Sequence, residues 1–179
     1  MLSVTAVVVI VVGALVWNRA DGDGDVLHLD TPGEFIDPAS TNVENRGEVL
    51  PKFELTNADG EIVALESDGR PLVVNLWYST CPPCARELAA FADVDAEFGD
   101  QVRFVGVNPY DDAATMEEFA GSRGVDYELL LDPDYVVAEQ LGVLQFPVTL
   151  FVSADGEIVV QTGALSEDEL REHVAELLA

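Results

Sequence analysis

Lysine is almost missing from this 179-residue chain. Lys52 is the single one, and all basic residues number 8 against 34 acidic ones. A formal charge of −26 repels phosphate backbones and anionic head groups, which argues against nucleic acid as a partner. The bland reading is a well-solvated surface. The sharper one, given the missing lysines, is adaptation to high salt. Histidine is scarce too, with only His28 and His173. Zinc takes four protein ligands, or three and a water, and two cysteines with two distant histidines do not supply such a set. No metal and no cofactor are therefore expected. Cysteine is limited to Cys81 and Cys84, too few for a disulfide framework.

What is present is apolar residue in quantity, 49% of the chain, enough for a sizeable core. Part of it sits in Leu2–Trp17, a run without charge. As a helix these residues span about 24 Å, somewhat short of a hydrocarbon core of about 30 Å. Residues 1–18 read best as an uncleaved transmembrane signal anchor. A cleaved secretory signal, with a poor site in "WNRAD", and an internal core element are the alternatives. Arg19 follows the span and specifies orientation only weakly. Residues 19–48, rich in Asp, Gly, Pro, Ser and Asn, read as an acidic flexible linker. Residues 49–179 read as the folded domain.

Within that domain "FELTNADGEIVAL" predicts two strands turning at Asp59-Gly60. "PLVVNLWY" predicts a buried central strand. From Pro82 to Phe98 the period changes, with Leu88, Phe91, Val94 and Phe98 on one helical face. "VRFVGV" predicts a strand, and "DDAATMEEFAGSRG" a helix with Met116, Phe119 and Ala120 on one face. After a short strand "YELLL", the spacing predicts a helix with Asp132 as N-cap, Pro133 at its first position and Gly142 as its stop. "VTLFV" and "EIVVQTG" predict a hairpin. A last helix opens on a Ser166–Glu169 capping box and buries Leu170, Val174, Leu177 and Leu178. "ADGEIV" occurs at 58–63 and again at 154–159, as two hairpins with the same turn chemistry would require. The alternation predicts an α/β fold with a central mixed sheet flanked by helices.

Cys81-Pro-Pro-Cys84 falls where the strand gives way to the helix. Such a pair is a redox centre, half of a metal site, or a structural staple. The metal reading lacks ligands. A staple closing so short a loop gains little chain-entropy stabilisation. The redox reading has a physical basis: the free N–H groups and dipole of a helix N-terminus favour a thiolate at Cys81. Cys84, one turn later, is placed to close a disulfide with it. Pro82 and Pro83 stiffen the loop and remove two donors.

With those residues in place, "VVNLWYSTCPPCARELAAF" resembles the thioredoxin superfamily, and within it the membrane-anchored TlpA/ResA-like thiol–disulfide oxidoreductases. The resemblance covers about residues 50–179. Asn75, Trp77 and Cys81-Pro-Pro-Cys84 match the motif, "LQFPVTLFVSADGEI" resembles the segment bearing a cis-proline, and "FVGVNPYDDAATMEEFAGSRG" resembles the branch's helical insert. The resemblance implies a thioredoxin-like fold with an N-terminal β-hairpin extension. It implies that Cys81 and Cys84 are catalytic and that Pro147 faces the disulfide. It further implies that the Phe146 backbone pairs with an extended substrate. Glu87, three residues after Cys84, is implied to handle protons, since Asn75 stands where thioredoxins carry an aspartate. Trp77, Thr80, Pro82, Pro83 and Phe146 are implied to form the substrate surface. Thr80 departs from the usual tryptophan, and Phe146 is bulkier than in many relatives.

The activity so implied is thiol–disulfide exchange outside the cytoplasm, on a single-pass membrane protein. Its partners are disulfide-containing client proteins and a membrane thiol electron donor. The expected direction is reductive, keeping the cysteines of apocytochrome c or another metalloprotein reduced, as in cytochrome c biogenesis, with antioxidant activity as a related role. The alternatives are an oxidising or isomerising protein, a peroxidase and a metal carrier. Peroxidase chemistry wants Pro-x-x-x-Thr-x-x-Cys, and here Val74 and Tyr78 hold the Pro and Thr places. A copper carrier of this fold pairs more widely spaced cysteines with a nearby histidine.

Overall fold

The structure, a computed structural model, describes residues 41–179. The expected anchor and the linker as far as residue 40 lie outside the described residues. Among the described residues no helix is long and apolar enough to cross a membrane.

Residues 41–48, expected as the end of the linker, are part of the fold instead. Asn42 Oδ1 accepts from the Leu144 and Gln145 N–H groups at 2.7 and 2.9 Å, and its Nδ2 donates to the Gln145 carbonyl at 2.9 Å. The Gln161 side chain donates to the Val43 carbonyl at 2.7 Å. An Asn-rich stretch reads as a linker by composition, but these amides bond backbone groups about a hundred residues away, which local composition does not encode.

The strands are β1 (Phe53–Thr56), β2 (Ile62–Leu65), β3 (Leu72–Leu76), β4 (Arg103–Asn108), β5 (Glu128–Leu131), β6 (Val148–Val152) and β7 (Ile158–Thr162). The helices are α1 (Pro82–Phe98), α2 (Ala113–Gly121), α3 (Val136–Gln140) and α4 (Glu167–Leu177). The strands form one mixed sheet in the order β2-β1-β5-β4-β3-β6-β7. β3 pairs parallel with β4, and β4 with β5, while β6 runs antiparallel to β3. The C-terminal ends of β3, β4 and β5 therefore lie at the same edge as the N-terminal end of β6. Such an edge is where open α/β sheets place their sites.

Side-chain alternation divides the core. Leu72, Val74, Leu76, Val105, Val107, Leu150 and Val152 point to one face, where Val137, Ala138 and Leu141 of α3 and its C-terminal end cover them. Val73, Phe104 and Phe151 point to the other, against Phe91 and Val94 of α1 and Leu170 and Val174 of α4. Both hairpin turns place a glycine at positive φ, Gly60 at +81° and Gly156 at +89°, which explains the repeated "ADGEIV". The α4 capping box is present, with Ser166 and Glu169 bonding reciprocally. Leu170 and Val174 are buried as expected; Leu177 is half-buried and Leu178 exposed, because they lie at the helix end.

α3 starts later than expected. Tyr135 takes a left-handed conformation (φ 58°), so Pro133 precedes the helix rather than opening it. Tyr135, not Asp132, is the N-cap residue, yet Asp132 supplies the capping acceptor from three residues earlier: its buried carboxylate accepts from the N–H groups of Val136, Val137 and Ala138 at 2.7, 3.0 and 3.4 Å.

Candidate active site

β3 is buried along its whole length and delivers residues 77–81 to the sheet edge, where α1 begins. Cys81 is the N-cap of α1, with extended backbone (φ −89°, ψ 107°), and Pro82 and Pro83 fill the first two helical positions. Cys81 and Cys84 form a disulfide, with Cα atoms 5.3 Å apart. Cys81 Sγ accepts the Cys84 N–H at 3.3 Å. A helix N-cap normally uses a side-chain oxygen for this bond. Here a sulfur receives it, so negative charge at Cys81 is met by an N–H and by the positive end of the helix dipole. The prolines withhold the other two donors. Both cysteines are deeply buried in the disulfide form, 2% and 0% exposed.

Glu87 is buried on the face of α1 that carries Cys84, three residues on, a spacing that sets Cβ atoms about 5–6 Å apart. Its Oε1 accepts from Asn75 Nδ2 at 2.9 Å and its Oε2 from the Leu165 N–H at 3.1 Å. Burial pushes its carboxyl up to about 7, against the opposing pull of the Asn75 and Leu165 donors and of Arg86. Asn75 also donates to Thr149 Oγ1 at 3.1 Å, its partner across the β3–β6 ladder. Asn75 thus holds Glu87 in place by donating to it, and an amide does not serve as a proton acceptor for a thiol.

The Phe146–Pro147 peptide is cis, and Pro147 is buried at the start of β6. Among the described residues the Phe146 N–H and C=O have no hydrogen-bond partner. Thr80 and Pro82 are exposed; Pro83 and Phe146 are half-buried. Trp77, expected on the substrate surface, is not there. It is fully buried and stacks on Phe119 of α2 with ring centroids 5.9 Å apart. The helical insert covers it, which the motif alone does not show.

Two features of the site were missed in the sequence. Asp111, after β4, accepts from the Ser79 N–H at 2.7 Å, from Ser79 Oγ at 2.6 Å and from Asn108 Nδ2 at 2.7 Å. It ties the loop before Cys81 to the neighbouring strand end. Tyr78, Tyr110, Tyr135 and Phe146 form an aromatic cluster, with Tyr78–Tyr110 at 4.7 Å, Tyr78–Phe146 at 5.4 Å and Tyr110–Tyr135 at 5.2 Å. The available signal was topological: these residues all sit at the C-terminal ends of parallel strands or beside Pro147.

This constellation defines a thioredoxin-like thiol–disulfide oxidoreductase. The AhpC/TSA family model matches residues 46–161, and the chain belongs to that family. Among its relatives, thiol-disulfide oxidoreductase ResA of Halalkalibacterium halodurans is 29% identical over 137 residues, 75% of this chain and 78% of that protein. Thiol:disulfide interchange protein DsbE of Escherichia coli K12 is 30% identical over 156 residues, 83% of this chain and 76% of that protein. The structure of MTB DsbF, in mixed oxidized and reduced forms, superposes with a TM-score of 0.65 at 32% identity, over 79% of this chain and 99% of that one.

Proposed function

We propose that this protein is a membrane-tethered reductase of client-protein disulfides, working on the extracytoplasmic side. The observation that carries the reading is the Cys81–Cys84 disulfide at the N-cap of α1, with the buried Glu87 behind it. Reduced Cys81 attacks one sulfur of a client disulfide. The client S–S bond breaks, one client sulfur leaves as a thiolate, and a Cys81–client disulfide forms. Cys84 then loses its proton and attacks Cys81 Sγ, and the second client sulfur leaves. Two electrons have passed from the dithiol to the client, leaving the Cys81–Cys84 disulfide. A membrane thiol donor returns them.

Glu87 fits the proton transfer at Cys84. With its carboxyl near 7 it is part ionised at neutral pH, so it can take the thiol proton and give it back. The reductive direction is supported by the two prolines. They leave the Cys81 thiolate fewer donors, and a less stabilised thiolate makes the dithiol the stronger reductant. The resemblance to the TlpA/ResA-like branch suggests clients whose cysteines must be kept reduced, apocytochrome c among them. Val74 and Tyr78 disfavour a peroxidase reading, because they stand where that chemistry needs its proline and threonine.

A Cys84→Ser variant tests the reading. Expressed in cells as the full chain, it is expected to accumulate mixed disulfides through Cys81 with client proteins, which thiol reductants release. Absence of any such adduct, with the protein folded and exported, would sink the proposal.

A further inference from the structure

We propose that Tyr78, Tyr110, Tyr135 and Phe146 form an aromatic shelf that binds a cationic side chain, arginine or lysine, of the client segment beside its reacting cysteine. This rests on the thiol–disulfide exchange reading above.

The shelf is continuous with the redox centre. The Cys81 N–H donates to the Tyr78 carbonyl at 3.2 Å, and Phe146 directly precedes the cis proline. Tyr110 sits at its middle, within 4.7 Å of Tyr78, 5.2 Å of Tyr135 and 5.8 Å of Phe146, centroid to centroid. Yet Tyr110 is 56% exposed and Tyr135 38% exposed. These large rings are held together without being buried. Tyr135 is also held at φ 58°, a region that costs a tyrosine free energy and that tends to be kept where a site requires it.

Charge selects the occupant. Asp111 bonds Ser79 beside Tyr78, Asp112 follows it, and Asp134 precedes Tyr135. Between Arg103 and Arg171 the chain has one basic residue, Arg123, and its guanidinium lies over the Phe119 ring, 3.5 Å from the centroid. The loops that build the shelf therefore carry carboxylates with no basic residue of their own. Aromatic faces attract cations, arginine above all, and the net charge of −26 adds to that attraction. A neutral apolar side chain would use the rings and gain nothing from the charges. An extended client paired with the free Phe146 backbone would lay alternate side chains on this side.

The test uses the full chain, reduced beforehand with a dithiol, and cysteine peptides carried as mixed disulfides with thionitrobenzoate. Cys81 attacks the peptide sulfur and thionitrobenzoate leaves as a coloured thiolate; Cys84 then displaces the peptide as a thiol. Three peptides differ only at the positions two before and two after the cysteine, which hold Arg, citrulline or Glu. The corresponding 2-mercaptoethanol mixed disulfide serves as a reference without a peptide. We expect second-order rate constants for this single turnover in the order Arg, citrulline, Glu, with Arg over citrulline by about 3- to 30-fold, the range of a partly desolvated cation–π contact. That ratio should fall towards one in Tyr110→Ala and Tyr135→Ala, persist in Tyr110→Phe, and shrink in molar salt. Equal rates for Arg and citrulline in the wild type would overturn the shelf proposal, as would a preference that survives Tyr110→Ala. A dimer abolished by Tyr110→Ala would also overturn it, assigning the shelf to a second copy. Failure to reduce even the reference disulfide would instead overturn the exchange reading beneath it.

Discussion

At the scale of single residues, Glu87 governs both chemistry and pH dependence. Its unfolded value is near 4.5 and its folded value about 7. Between the two the native state holds a proton that the unfolded chain has released. The contribution to stability is therefore fully present below about 4.5 and is lost as pH rises through 7. A shift of this size corresponds to something on the order of 3 kcal/mol. Urea unfolding from pH 5 to 8 is expected to show that decline in the wild type and a much flatter profile in Glu87→Gln. The same variant is expected to slow release of client from Cys81 above neutral pH, because the proton acceptor at Cys84 is gone. The neighbouring Asn75 was ambiguous in the sequence between a catalytic and a structural role. Its bonds to Glu87 and Thr149 show a holding role, which depends on the β3–β6 register and so could not be read from one strand.

At the scale of elements, four loops converge because β6 runs antiparallel to three parallel strand ends. Asp111 fastens two of them. Asp111→Ala removes the acceptor for both Ser79 donors and should loosen the 78–80 loop. Hydrogen exchange is expected to rise at Ser79 and Thr80, and unfolding stability to fall by about 1–3 kcal/mol. Unchanged exchange there would mean that the clamp is idle. Most elements were legible from period and punctuation: the buried β3, the face of α1, both Asp-Gly hairpins and the Ser166 cap. α3 was legible in its capping carboxylate, Asp132, but not in its start, because a left-handed Tyr135 interposes a turn that no propensity announces. Trp77 was misplaced for a similar reason. The motif gives its position in the chain, while the helix that buries it arrives more than thirty residues later.

For the whole molecule, the charge of −26 is the dominant long-range term. Self-repulsion destabilises the compact state and is screened by salt. The thermal midpoint of unfolding is expected to rise between low and molar salt, and a flat response would dismiss salt adaptation. The direction of electron flow is set by the Cys81–Cys84 pair rather than by this field. The measurement that tests it most directly is the reduction potential of Cys81–Cys84 in the full chain, by equilibration with defined thiol buffers. A value near or below about −250 mV, on the thioredoxin side of the scale, is predicted for a reductase fed by a membrane donor. A value of about −120 to −180 mV, in the range of strong oxidants and isomerases, would contradict the reductive assignment.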